Sequence, residues 1–388
     1  MRRRWIAPAL LALLALVAAA CGSNTTGAEA SGSGGASSDV QPGKDSQKVG
    51  FIMVGPKDDY GYNQAAYEGS QAVKAAFPDM EVLTAENVPE DDNATRIMQS
   101  MIDDGAKIIF ATSYGHLDPA LKVAEANPDV VVVQQGNFIK GTVPPNVGTY
   151  FGTVYEPVYL AGIAAGKSTT SNKLGYVYAF PIPQTIANIN AFTLGAQTVN
   201  PDVEVITVST SNWCDPAKQA EAAESLIGQG VDVITQHQDC TGTITKAAEA
   251  AGIKVVGYHA DASELAPKGW LTGSEWAWAD MYTDIVKVSV AGDFTGSKYN
   301  ANYRVGYKDG ANPFVQSAYG PSVDDATKAL IATAKEDIST TGSPFAGPVY
   351  AQDGTTVLVA AGTVPDYADI EELNTVFVKG VVGDIPKS

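Results

Sequence analysis

Aromatic, acidic and amide side chains follow most of the buried strands that the sequence pattern predicts. In open α/β sheets the carboxyl ends of strands border the ligand crevice. Rings can stack on a planar ligand, and carboxylates and amides can form hydrogen bonds along its edge. Any single ring could instead pack a core. We predict ligand binding by Asp59, Tyr60, Tyr62, Asn63, Tyr114, Asn137, Phe180, Trp213, Asp239, Asp261, Glu275 and Trp276.

Patterns for covalent or metal chemistry do not accompany these residues. Gly162 and Gly166 precede Lys167 and Ser168, but a phosphate-binding loop needs four residues between its glycines and here there are three. His116, His237 and His259 each lie just past a predicted strand without metal-ligand spacing. We expect these histidines to contact ligand or backbone. The sequence predicts a protein that is not an enzyme, with no cofactor and no metal.

The N-terminus carries an export signal. Three arginines precede an apolar run from Trp5 to Ala20, which is short for a bilayer span. The segment Val17–Cys21 resembles a bacterial lipoprotein box, although Ala18 stands where many boxes have Leu. We predict a signal peptide over residues 1–20, lipidation of Cys21 with acyl chains such as palmitate, and a flexible Gly/Ser linker over 21–47. Ordinary secretion is the alternative.

The charge balance narrows the class of ligand. The chain has 25 Lys and Arg against 43 Asp and Glu, a net charge of −18, and loss of the three signal arginines brings it to −21. Affinity for nucleic acid comes largely from Lys and Arg, so a general nucleic-acid binder is excluded. Anionic nucleotides are disfavoured for the same reason. An uncharged ligand fits this balance better.

Strand-like and helix-like segments alternate along the body of the chain. Short β-rich runs between helical stretches of 10–16 residues predict an α/β fold of parallel sheets covered on both faces. Two Asp-Pro pairs, Asp118-Pro119 and Asp215-Pro216, predict helix N-caps at equivalent places in two similar lobes. We assign residues 48–168 plus about 279–388 to lobe 1 and the hinge-crossing segments, and residues 169–278 to lobe 2.

Cys214 and Cys240 each follow a predicted strand of the second lobe. Exported proteins meet oxidising conditions, so a disulfide between these two loops is a reasonable expectation. Two buried thiols are the alternative.

Five segments resemble the basic membrane protein (BMP) family of substrate-binding lipoproteins of ABC importers, which includes purine nucleoside receptor A-like proteins. The resemblance covers essentially the whole mature chain. It is carried by residues 55–69, 155–162, 213–218, 236–239 and 377–386. It implies a type I periplasmic-binding-protein fold, with two Rossmann-like lobes on a multi-strand hinge and the ligand between them.

The resemblance also implies roles for individual residues. Asp59, Tyr60, Tyr62 and Asn63 occupy the loop that supplies an aromatic stack and polar contacts in nucleoside-binding members, and Phe180 matches the second aromatic. An Asp-x-Asp-Gln segment that holds ribose hydroxyls is reduced here to His259–Ala262, which keeps only Asp261. A Thr-Ser-Val-x-Lys segment is replaced by Gly273–Trp276. Together with the Trp213 loop, these changes resemble a branch thought to bind a free purine base.

These observations predict a monomeric, lipid-anchored receptor on the extracytoplasmic face of the cell membrane. It would capture a purine base or nucleoside and deliver it to an ABC permease and its ATPase. Alternatives are a binding protein for a sugar or a flavin-like ring, a ligand-sensing receptor coupled to a membrane signalling partner, and a secreted nucleoside-processing enzyme.

Overall fold

Buried apolar runs form the strands of two large sheets. The computed structural model describes residues 40–373 and 375–386. The strands are β1 Lys48–Ile52, β2 Glu81–Ala85, β3 Ile108–Ala111, β4 Val131–Gln135, β5 Val147–Gly152, β6 Lys173–Tyr178, β7 Glu204–Ser209, β8 Val233–His237, β9 Lys254–His259, β10 Trp270–Trp276, β11 Asn302–Val305, β12 Phe314–Gln316, β13 Val349–Tyr350, β14 Val357–Val359 and β15 Val381–Val382.

The helices follow the strands and cover both faces of each sheet. They are α1 Tyr62–Ala76, α2 Asp92–Asp103, α3 Leu117–Ala126, α4 Tyr155–Ser168, α5 Pro183–Val199, α6 Pro216–Gly228, α7 Gly242–Ala251, α8 Ala279–Ala291, α9 Asp325–Thr341 and α10 Tyr367–Leu373. None of the helices in the described part of the chain is both long and apolar enough to cross a bilayer.

The first sheet has the order β11-β5-β4-β3-β1-β2 and is parallel throughout. The second has the order β12-β10-β9-β8-β6-β7-β15, and its neighbours are parallel except for β12, which runs antiparallel to β10. The predicted α/β fold of two lobes with mostly parallel sheets is therefore confirmed.

The described chain passes between the two sheets three times. The passages follow β5, β10 and β11, at residues 152–155, 276–279 and 305–314. Each sheet is thereby tied to the other by three segments, which is the arrangement expected of a hinge.

Helices α4 and α5 pack closely because glycines line their contact. A Cβ atom on Gly162 would lie 2.3 Å from the carbonyl oxygen of Phe192, and one on Gly195 would lie 2.0 Å from that of Tyr159. The Gly162–Ser168 segment thus belongs to a small-residue helix face, and it lies within α4 rather than after a strand.

One of the two predicted N-caps is confirmed and the other is wrong. Asp215 caps α6 by accepting hydrogen bonds from the backbone N–H groups of Ala217 and Lys218. Asp118 instead lies inside the first turn of α3. A 3-10 turn over Tyr114–His116 runs directly into this helix, so the helix begins at Leu117 and no side chain caps it.

Candidate ligand-binding site

A cavity enclosing about 350 Å³ lies between the carboxyl ends of strands from the two sheets. That volume is at the lower end of the range for small-molecule sites. The first lobe contributes Val54, Tyr62, Ser113, Tyr114 and Phe151, and the second contributes Ile182, Gln184, Trp213, His237, Asp239 and His259.

Two buried carboxyl groups share one amide across the cleft. Asp59 accepts hydrogen bonds from the backbone N–H groups of Gly61, Asn63 and Gln64 and from Nδ2 of Asn63, the last at 2.8 Å. The same Nδ2 lies 3.1 Å from Oδ2 of Asp239 in the other lobe. The loop that precedes α1 therefore ties the first lobe to the floor of the cavity.

Burial governs the ionisation of this pair. It raises the pKa of Asp239 well above the ordinary value, the negative charge of Asp59 adds to this effect, and the hydrogen bond from Asn63 opposes it. Burial also raises the pKa of Asp59, but four hydrogen bonds counteract it. A proton retained by the pair therefore belongs on Asp239, which has fewer donors.

Two neutral histidines border Asp239. Burial lowers the pKa of His237 to about 3 and that of His259 well below its ordinary value. Trp276 donates from Nε1 to Nδ1 of His259 over 2.9 Å, and an indole can only donate, so the proton of His259 is assigned to Nε2. That Nε2 lies 4.0 Å from Oδ1 of Asp239.

Aromatic rings form the walls. Tyr62 packs on the imidazole of His259 with 4.9 Å between ring centroids, and Phe180 meets Trp213 edge-on at 5.1 Å. The indole Nε1 of Trp213 is buried and has no hydrogen-bond partner among the described residues. A ligand in the cavity could meet both ring faces and an unsatisfied donor.

A disulfide joins the two loops that carry Trp213 and Asp239. Cys214 and Cys240 are bonded, with their Cα atoms 5.3 Å apart. The backbone N–H of Asp239 also donates to the carbonyl oxygen of Trp213 over 2.9 Å. The ring and the carboxyl group are thus held at a fixed separation.

The predicted site residues fall into three groups. Tyr62, Tyr114, Trp213 and Asp239 line the cavity. A second group touches these residues or their neighbours in the cavity wall and comprises Asp59, Asn63, Phe180 and Trp276. A third group does not line the cavity and comprises Tyr60, Asn137, Asp261 and Glu275.

The members of the third group have other contacts. Tyr60 lies at the rim and donates from Oη to Oε1 of Glu264 in the other lobe over 3.0 Å. Asn137 donates to the carbonyl oxygen of Tyr114, and exposed Asp261 accepts from the backbone N–H of Ser263. Glu275 accepts from Ser317, and β10 extends through it to Trp276 because β12 pairs with that end of the strand. Ligand contact by these four residues stays a prediction.

Several residues that line the cavity are absent from the predicted set: Val54, Ser113, Phe151, Ile182, Gln184, His237 and His259. The two histidines end β8 and β9, and that position was the available signal. Gln184 lies in the first turn of α5 and donates from Nε2 to the carbonyl oxygen of Gly136 in the other lobe. Nothing in the sequence marks this amide as a cross-lobe contact.

Metal chemistry has no evident centre in the described residues, which hold no cluster of three or more His, Cys, Asp and Glu side chains suited to an ion.

Comparison with known proteins agrees with this architecture. The family model described as "ABC transporter substrate-binding protein PnrA-like" matches residues 46–341. A purine-binding protein of Brucella abortus is 35% identical over 344 residues, covering 88% of this chain and 94% of that protein. A putative ABC transporter glucose-binding protein of Haloferax volcanii, TsgA13, is 30% identical, covering 94% of this chain and 89% of that protein.

A solved structure supports the fold. The solute-binding protein of an ABC transporter system from Aeropyrum pernix K1 superposes with a TM-score of 0.66 and 17% identity, covering 78% of this chain and 92% of that chain. At that identity the likeness concerns the fold alone.

Proposed function

The chain belongs to the PnrA-like family of ABC transporter substrate-binding proteins, and on that premise we propose that it captures a purine nucleobase or nucleoside for import. The observation that carries the proposal is the closed cavity in which aromatic rings face a buried carboxyl group. Rings suit a flat heterocycle, and a carboxyl–amide edge suits its ring nitrogens and exocyclic groups. The relative named as purine-binding supports this ligand class.

Capture works through differential affinity. Contacts such as Asn63 to Asp239 and Tyr60 to Glu264 exist only when the lobes meet. A ligand that touches both walls adds to these contacts and shifts the population toward the closed form. An ABC permease with its ATPase then reads the closed rims, and no covalent step is involved.

The protein would act on the extracytoplasmic face of the cell membrane, held by lipid on Cys21. Residues 1–39, which include the predicted signal and most of the linker, lie outside the described residues. Support for the anchor is the sequence pattern around Cys21. A Cys21→Ala variant should appear in the medium, whereas the wild type should sediment with membranes. Equal partition of the two would refute lipidation.

A sugar is the second candidate ligand, because a relative that covers most of this chain carries the name of a putative glucose-binding protein. Ring walls also accept a pyranose. The cavity offers few polar side chains for a sugar's many hydroxyl groups, which favours the purine. A flavin-like ring, or a role in signalling, rests on no particular contact.

A thermal-shift screen separates these candidates. Purified protein is heated with purine bases, nucleosides, glucose or riboflavin at one protein concentration, and a ligand at 100 times its Kd should add about 2.7 kcal/mol of stability. A shift with glucose but with no purine would overturn the proposal. Uptake of the labelled ligand by cells with and without the gene then distinguishes import from signalling.

A further inference from the structure

The two carboxyl groups beside Asn63 have unequal surroundings. Asp59 receives four hydrogen bonds, three of them from backbone N–H groups. Asp239 receives one, on Oδ2, and its Oδ1 accepts none from the described residues. Both side chains are buried. Asp59 is therefore equipped to hold a negative charge and Asp239 is not.

No described cation compensates for a charge on Asp239. No Lys or Arg nitrogen in the described part of the chain lies within 4.0 Å of it. The titratable groups that face it from the surrounding elements are Asp59, Tyr62, Glu90, His237, Tyr258 and His259. The carboxyl groups would repel its charge, the tyrosines are neutral, and burial keeps both histidines neutral.

An ionised carboxylate in such a place would be unpaired and desolvated, which is strongly unfavourable. A neutral carboxylic acid avoids that cost and gains a donor. Its O–H and C=O lie side by side, so it can meet an adjacent acceptor and donor on one edge of a planar ligand.

We propose that Asp239 is a neutral carboxylic acid in the binding-competent protein and reads an amide-like or amidine-like ring edge through its paired donor and acceptor. This rests on the proposed function, since purine bases present such edges. The same wall holds the unpaired indole N–H of Trp213. The site therefore selects a ligand that presents acceptors toward the second lobe and arrives uncharged.

The first test is the affinity for adenine, measured by calorimetry over the pH range in which free adenine is uncharged. Once the pH exceeds the pKa of Asp239, affinity should fall about tenfold per pH unit, with about one proton taken up per ligand bound. Asp239→Asn, whose amide imitates the neutral acid, should stay within about tenfold of the best wild-type affinity and lose the pH dependence. Asp239→Ala should bind about 10- to 100-fold more weakly at every pH.

Asp118→Asn is the matched control, because it makes the same change at an exposed carboxylate on α3, outside the cavity. It should reproduce the wild-type profile. Affinity that rises with pH, or loss of binding in Asp239→Asn together with a flat wild-type profile, would show an ionised Asp239 and overturn the proposal. A flat profile with binding retained in Asp239→Asn supports it.

The second test needs no ligand. The infrared difference between wild type and Asp239→Asn at neutral pH should contain the carbonyl band of a neutral carboxylic acid. Bands of a carboxylate alone would overturn the proposal even if purines bind. If the acid band is present but no purine binds at any pH, the purine assignment fails and the neutral state of Asp239 stands.

Discussion

The indole Nε1 of Trp276 lies 2.9 Å from Nδ1 of His259 and donates a hydrogen bond to it. The contact links the end of β10 to the end of β9 and determines which histidine nitrogen carries the proton. Because Nδ1 accepts, Nε2–H points toward Asp239. A tryptophan that does not line the cavity thereby controls the polarity of a group that does.

Replacing Trp276 by Phe keeps an aromatic ring beside Phe151 and Phe314 but removes the donor. His259 should then populate both neutral tautomers, and ligand affinity should fall by about three- to tenfold, the worth of one hydrogen bond. Nitrogen NMR shifts of His259 report the tautomer directly. Unchanged shifts would mean that another contact holds the imidazole.

The aromatic wall should dominate the binding energy. Truncating Trp213 to Ala removes a ring that lines the cavity, and Phe180→Ala removes the ring that meets it edge-on. Each should weaken binding by about tenfold or more, because buried aromatic contacts carry much of the energy of a site. Tyr303→Ala, on β11 away from the cavity, is the control and should change affinity little. Equal affinities for all three variants would mean that the two wall rings only pack the core.

The Cys214–Cys240 bond should stabilise both the fold and the site. It closes a loop with a sequence separation of 26 residues, so replacing both cysteines by Ser should cost about 3 kcal/mol of unfolding free energy. Ligand affinity should fall as well, because Trp213 and Asp239 adjoin the bonded cysteines. Chemical denaturation and calorimetry measure the two effects, and reduced wild type should behave like the double variant. A stable variant with unchanged affinity would show that the hydrogen bond between the loops suffices.

Much of the fold is evident from the sequence because most strands are buried on both faces. Strands such as β3 and β4 are continuous apolar runs, and the pattern identifies them. Strands β5 and β10 escape it because they contain glycine and hydroxyl residues. In β10 the glycine has a steric reason, since a Cβ atom on Gly273 would lie 2.9 Å from the backbone of Gly257.

The site is partly evident for a different reason. Residues after strands gather at the carboxyl edge of each sheet, which explains the placement of Trp213 and Asp239. Which of them meet depends on loop conformation. Tyr60 has a φ of 52°, a left-handed conformation that is uncommon for a tyrosine, and its hydroxyl group reaches Glu264 at the rim. A sequence pattern carries no information about that turn.

Tyr60 should act on lobe closure. Its Oη bonds Glu264 and its carbonyl oxygen accepts from Thr241, so both contacts cross the cleft. Tyr60→Phe removes one exposed hydrogen bond, so affinity should fall only about two- to fivefold. Small-angle scattering of the ligand-free protein should show a larger open fraction, while the liganded form stays compact. Tyr303→Phe is the control, and an open fraction equal to that of wild type in Tyr60→Phe would exclude a role in closure.

Stability should depend on pH through Asp239. Burial places its pKa in the folded protein well above that of the unfolded chain, near 4. Between those two values the folded state keeps a proton that the unfolded state releases, so this group's contribution to stability is complete below about pH 4 and is lost as the pH rises, by about 1.4 kcal/mol per pH unit. Asp239→Asn cannot titrate. Without ligand it should therefore melt several degrees above wild type at neutral pH, and the two melting curves should converge in acid.

The exposed control Asp118→Asn should follow wild type at every pH. Scanning calorimetry across the acid and neutral range measures all three proteins. If Asp239→Asn were instead less stable at neutral pH, with a deficit that grows as the pH rises, the folded protein would be stabilising an ionised Asp239. The hydrogen bond from Asn63 and the nearby Nε2–H of His259 would then outweigh burial and the charge of Asp59. The sign of that difference decides which of these opposing influences is larger.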